Sequence, residues 1–231
     1  MKKVLFIIDP FSRLHLERDT SILLMNEAIR RGHPTYSCTE YDIFRAGTDL
    51  RATVIRHRES IGNDVLTENI PGADRKLEHF DVIFIRKDPP FDESYLGLVL
   101  LLEQLSSPLI INRPSSLLRY NEKLSILLFP DYITDTLVTT SPNRIEEFVQ
   151  SLGGKAVLKP LFQCSGREVE LLDPESPGFS SLLSAATRGG RRRVMVQKFL
   201  EGVRRGETRV FMLADSILSV IKKIPRPGSF K

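Results

Sequence analysis

Two lysines, an acid–arginine pair on one strand, and a charged triplet ahead of a double proline are the residues of this chain whose placement suggests chemistry. Lys159 stands in the apolar run AVLKP (156–160), between leucine and proline. Lys123 follows Asn121 and Glu122 and opens a helix-like segment. Lysine suits phosphate binding as a point charge, and two such cations, distant in sequence, can grip the phosphates of a nucleotide between two lobes. Periodicity alone favours a plainer role for Lys159, with its stem along the surface and its ammonium in water. In VMVQKFLEG (194–202), Gln197, the backbone of Lys198, Phe199 and Leu200, and Glu201 offer groups for a planar base and a ribose, as does any strand leaving a core. Glu207 and Arg209, spaced by two, share one face of a strand, which is also how a surface ion pair is built.

Arg86, Lys87 and Asp88 close an apolar strand at its carboxyl end, where ligands bind in open α/β sheets. Pro89 and Pro90 fix the chain direction there, with room for a cis bond. A rigid turn carrying solvated charges explains the same residues. Other chemistries find little support. Cys38 and Cys164 lack metal or redox spacing, and His15, His33, His57 and His79 are scattered, which makes them surface or loop histidines rather than ligands. No metal site is legible. The densest basic stretch, TRGGRRRVM (187–195), lacks the interleaved aromatics of single-strand binders. It reads as a solvated loop and not as a nucleic-acid site, with contact to a phosphorylated small molecule left open. No apolar run reaches the roughly 20 residues of a membrane span. The short VLFII run near the start meets Asp9 and Pro10 too soon for a signal peptide, so a cytoplasmic protein is expected.

The elements that must position these residues fall into two halves. In the first, KVLFIID (3–9), FDVIFIRKD (80–88) and PLIIN (108–112) read as buried strands. Between them, residues 19–32 form a helix with Asp19 or Thr20 as N-cap and Gly32 as stop, and residues 92–106 form another. Residues 45–78 are polar and carry no clear pattern. Alternating strands and helices point to a doubly wound, mostly parallel sheet. The second half opens with a helix that has Ser141 as N-cap and Pro142 at its first position and continues with hairpin-linked strands at 155–160, 167–173, 194–200, 207–213 and 217–224. This is the pattern of an antiparallel α+β module, and the expected boundary puts 1–119 in one domain and 120–231 in the other. Within it, AVLKPLFQCSGREVELL (156–172) reads as strand, tight turn, strand, with one glycine, Gly166.

DVIFIRKDPPFD (81–92), IINRPSSLLRYNEKL (110–124), DPFSRLHLERDTSILLMNEAIRRG (9–32) and VQKFLEGVRRGETRVF (196–211), taken in order, resemble prokaryotic glutathione synthetase, a family of ATP-grasp ligases. The resemblance runs from residue 3 to about residue 228. It implies ATP- and magnesium-dependent joining of γ-glutamylcysteine to glycine through an acyl phosphate, and an α/β domain followed by an ATP-grasp module. It makes Lys123 and Lys159 the phosphate lysines. It makes Gln197, Lys198, Phe199 and Leu200 the adenine hinge, and it places Glu207 and Arg209 on the nucleotide-proximal strand, with Arg209 as the catalytic candidate. Arg86, Lys87 and Asp88 then face the peptide substrate.

Two departures qualify the resemblance. Where the family carries a phosphate loop like KPLDGMGG, this chain reads KPLFQCSG and keeps only Gly166, which implies a weaker clamp. The chain stops at IPRPGSFK, where members of the family begin a lid loop and go on to their magnesium ligands. The 231 residues alone are therefore expected to be inactive, with exposed sheet edges. A non-catalytic nucleotide- or peptide-binding remnant and a ligase with another acceptor are the alternatives. A homo-oligomer is compatible with the resemblance.

Overall fold

The computed structural model describes residues 1–62, 72–164 and 166–226. Ser165, in the turn after Lys159, and the last five residues lie outside them. The chain divides into two compact units, Met1–Asn121 and Glu122–Lys231.

The first unit runs β1 (Val4–Ile8), α1 (Thr20–Arg30), β2 (Thr35–Cys38), β3 (Ile43–Ala46), β4 (Asp49–His57), β5 (Ala73–Lys76), β6 (Val82–Arg86), α2 (Glu93–Leu102), β7 (Leu109–Ile111) and α3 (Pro114–Arg119). Strands β2, β1, β6 and β7 pair in parallel, in that order. All five side chains of β1 are buried, as expected of a central parallel strand with both faces covered. One face meets the cluster around Leu5, Ile7, Ile83 and Leu102. The other meets Ile22 and Met25 of α1. Asp19 caps α1 by accepting from the Ser21 N–H.

Among its described residues, the unpatterned stretch at 45–78 holds the end of β3 and all of β4 and β5. Antiparallel β3, β4 and β5 extend the sheet beyond β2. In β4, buried Leu50, Ala52 and Val54 alternate with Arg51, Thr53 and Ile55, and His57, in phase with the second set, is buried as well. His57 corrects the expectation of surface or loop histidines. It is 5 % exposed, and its Nε2 shares a 2.8 Å hydrogen bond with Ser37 Oγ. Burial drops its pKa to about 4, so the ring is neutral.

The second unit contains β8 (Thr136–Thr139), α4 (Pro142–Ser151), β9 (Ala156–Pro160), β10 (Glu170–Leu172), α5 (Phe179–Ala186), β11 (Val194–Lys198), β12 (Glu207–Leu213) and β13 (Ser216–Lys223). An antiparallel sheet runs β10-β9-β11-β8. Its inner face and helices α4 and α5 bury Ile145, Val149, Leu158, Leu172, Leu183 and Val196. Ser141 accepts from the Arg144 N–H, and Pro142 occupies the first turn of α4. β9 and β10 form the expected hairpin, Glu170 opposite Leu158. Their connection covers residues 161–169 and is therefore longer than a tight turn. Strand β8, short and polar at both ends, pairs with β11 and is absent from the sequence reading. β12 and β13 form a separate two-stranded sheet, every residue of which is exposed.

Candidate functional site

Lys159 and Val157 point to the sheet face opposite the helices, since Leu158 between them is buried in the core. There they border a cavity of about 440 Å³. Gly166, Gln197, Lys198, Phe199, Leu200, Glu207 and Arg209, all singled out in the sequence, line it too, joined by Thr134, Val203 and Lys223, whereas Lys123 and Glu201 do not.

Lys159 does not snorkel. Its Nζ donates to Gln197 Oε1 at 2.7 Å. Gln197 Nε2 donates to Thr136 Oγ1 at 2.9 Å, and that hydroxyl donates to the Thr134 carbonyl at 2.7 Å. The chain of bonds fixes the orientation of the Gln197 amide. Gln197 therefore holds the ammonium in place instead of offering a free amide to a base. Burial, aided by the nearby Lys123 charge, pulls the Lys159 pKa down. Among the described residues no carboxylate pairs with it. Such a cation favours an incoming anion.

Lys123 precedes a 3-10 turn at Leu124–Leu128. Its Nζ donates to the Gln163 carbonyl and lies 2.7 Å from the Glu122 carboxylate. The ammonium thus ties the 161–169 connection to the start of the unit. Gly166 takes φ 71°, a left-handed turn that glycine adopts without strain.

At the hinge, the Lys198 N–H donates to the Asp135 carbonyl and the Phe199 N–H to the Lys155 carbonyl. Those two donors serve the fold, which corrects the expectation that the whole 198–200 backbone faces a base. Phe199 is buried and Leu200 exposed. Glu207 and Arg209 do share one face. Arg209 Nη2 and Nε donate to the Glu207 carboxylate at 2.6 and 2.9 Å. Lys223, opposite Glu207 on β13, stands 3.9 Å from the same carboxylate.

In the first unit, the residues after β6 are placed by three different partners. Arg86 donates to Thr20 Oγ1 (2.7 Å) and Ser21 Oγ (3.2 Å), both in the first turn of α1. Lys87 lies 2.8 Å from Glu40 and 3.9 Å from Asp9, its side chain 9 % exposed. Burial opposes its charge, but the Glu40 hydrogen bond and the Glu40 and Asp9 charges prevail and raise its pKa. Its place is a closed ion pair, which corrects the expectation that it faces a substrate. Asp88 is exposed, and partial burial followed by the Asp9 and Asp19 charges raises its pKa. Its N–H donates to Asp9 Oδ2 at 2.8 Å, and Pro89–Pro90 is cis.

Asp9 is the residue that sequence reasoning passed over as a strand end. It links Lys87 and the Asp88 backbone and borders a second cavity of about 230 Å³ with Thr39 and Asp42. Its position at the carboxyl end of β1 was the available signal. Thr136 was missed because its strand was missed.

Residues 2–118 match the family described as prokaryotic glutathione synthetase, N-terminal domain, and residues 122–231 match its ATP-grasp domain. The chain is 34% identical over 229 residues to a glutathione synthetase of Parasynechococcus marenigrum, covering 98% of this chain and 73% of that protein. It is 32% identical to one from Yersinia pestis, covering 99% and 72%. Among solved structures, a RimK domain protein ATP-grasp from Sphaerobacter thermophilus superposes with a TM-score of 0.63 at 18% identity, over 96% of this chain and 72% of that one. A RiPP-associated ATP-grasp ligase from Chryseobacterium gregarium gives 0.53 at 16%, over 91% and 66%. At such identities the superpositions show the fold alone. Family matches to both units, relatives above 30% identity and a shared ATP-grasp fold converge: this chain belongs to the prokaryotic glutathione synthetase family.

Proposed function

We propose that this protein is an ATP-dependent carboxylate–amine ligase whose substrates are γ-glutamylcysteine and glycine. The dipeptide's cysteinyl carboxylate attacks the γ-phosphorus and expels ADP. The glycine amine then attacks the acyl phosphate and phosphate leaves. Such chemistry asks for positioning and charge neutralisation more than for acid–base residues. The observation that carries the reading is Lys159, a half-buried ammonium that borders the cavity and pairs with no carboxylate among the described residues. In this reading Lys159 and Lys123 hold ATP phosphates, the segment from Gln197 to Leu200 borders the adenine, and Arg209 acts on the transferred phosphoryl group once released from Glu207. Arg86 and Asp88 serve the peptide substrate. The domain expected at 1–119 supplies that substrate side, and the one at 120–231 the nucleotide side. A cytoplasmic setting fits this chemistry, and no described helix is long and apolar enough to cross a membrane.

The described residues do not fit a resident magnesium ion. None of them form a group of three or more acidic, histidine or cysteine side chains able to hold a metal. Glu207, the carboxylate bordering the cavity, is committed to Arg209. Magnesium in such ligases takes one or two carboxylates together with substrate phosphates, and a lone arginine-paired carboxylate is a poor donor. We therefore expect nucleotide binding without full turnover from these 231 residues.

Calorimetric titration with ADP tests the reading, followed by phosphate release from ATP with and without γ-glutamylcysteine and glycine. We expect saturable ADP binding that Lys159→Ala weakens. Phosphate release that needs both acceptor substrates confirms the ligase and overturns only the expected lack of turnover. ADP binding unaffected by Lys159→Ala sinks the site assignment.

A further inference from the structure

Four arginines converge on a cavity that the ligase reading leaves unused. Arg188, Arg191, Arg192 and Arg193, with Leu161 and Phe162, line a concavity of about 510 Å³ at the far end of β9. Charges of one sign gathered around one hollow repel each other, and an anion in the hollow relieves that repulsion. Among the described residues one carboxylate bonds any of the four: Arg192 Nη1 donates to Glu168 at 2.5 Å. Four cations against one anion leave an excess of positive charge.

The arginines sit on an ordered turn. It follows α5 and takes left-handed backbone at Arg188, Gly189 and Gly190. Buried Thr187 closes it, its hydroxyl donating to the Leu183 carbonyl and accepting from the Gly190 N–H, while the Arg192 N–H returns to the Thr187 carbonyl at 2.7 Å. Arg191 Nε reaches the Arg188 carbonyl at 3.4 Å. Attraction to the carboxyl end of α5 explains one or two cations there, but not four around one hollow. Leu161 gives a buried apolar floor, and Phe162, 53 % exposed, an aromatic wall. Guanidinium groups pair with phosphate oxygens two bonds at a time, so the hollow suits adjacent phosphoryl groups. Its wall and the nucleotide cavity share one connection: Leu161 and Phe162 border the first, Gly166 the second.

We propose that this arginine hollow is a second anion site that binds a small polyphosphate, separate from the nucleotide cavity. Either free pyrophosphate or the phosphate tail of a nucleotide supplies that chemistry. The test is calorimetric titration of pyrophosphate at constant ionic strength into the whole chain, the Arg191→Ala/Arg193→Ala variant, Lys159→Ala, and a charge-matched control, Arg30→Ala/Arg31→Ala. Both arginines of the test pair are exposed, so their loss spares the core. Affinity is expected to fall by about tenfold or more in the first variant and to hold in the other two. Equal binding of pyrophosphate and ATP to Lys159→Ala also supports the proposal and identifies the phosphates as what is read. It is overturned by absent pyrophosphate binding, by loss in Lys159→Ala instead, by equal loss in the control, or by a single-stranded RNA that binds tighter than pyrophosphate through the same two arginines.

Discussion

At Lys159 the surroundings disfavour the charge that the proposed chemistry needs: burial and the Lys123 ammonium both lower its pKa. Gln197 offsets part of that penalty through a single neutral acceptor. An anion in the cavity would offset far more. Lys159→Ala is expected to reduce ADP affinity by roughly ten- to a hundredfold, and Gln197→Leu by less, with circular dichroism unchanged in both. His57 makes a prediction of opposite character. Its pKa falls from 6.5 to about 4 on folding, so the unfolded chain takes up a proton first as pH drops. Stability is complete above pH 6.5 and is lost progressively down to about pH 4, by up to about 3 kcal/mol. Denaturant titrations across that range should show the slope in the native chain and a shallower one in His57→Gln.

Among the elements, the β6–α2 connection is held by Lys87 and Glu40, 2.8 Å apart and closed to solvent. Glu40 Oε2 has no hydrogen-bond partner among the described residues, so the carboxylate already bears some desolvation cost. Removing its partner through Lys87→Met leaves a buried charge unpaired. We expect a loss of about 3 kcal/mol, partly recovered by Lys87→Met/Glu40→Gln, in urea denaturation. The β12–β13 hairpin is the opposite case. It exposes Val210, Phe211, Val220 and Ile221 and pairs with no third strand among the described residues. Two strands alone are marginal in water, so hydrogen exchange at Val210 and Val220 should be fast while Val196 and Leu158 in the four-stranded sheet stay protected. Equal protection in the two sheets would refute this.

Across the whole molecule each unit carries its own core. The clusters around Ile83 and around Leu158 share no residue. Ile83→Ala and Leu158→Ala each delete a fully buried branched side chain and should each cost about 2–5 kcal/mol. Hydrogen exchange should place each loss in the unit that owns the residue. Loss spread evenly over both units would contradict that division.

Much was legible in the sequence because the signals are local. Continuous apolar runs marked β1 and β6, Asp19 and Ser141 marked helix starts through side chains that accept from first-turn N–H groups, and the ordered RKDPPFD and NEK strings identified the family. Strands β3, β4, β5 and β8 escaped because their charged, threonine-rich or short segments acquire strand character only from their neighbours in the sheet. Lys159 was named from the sequence, but its character was not, since a lysine in an apolar strand can run to water or be held. Tertiary structure decided that by bringing Gln197 and Thr136, from two other strands, to within hydrogen-bonding distance. The same kind of long-range pairing turned Lys87 away from solvent and buried His57 against Ser37. Sequence fixes what a side chain is able to do, and partners distant along the chain set which of those capacities is used.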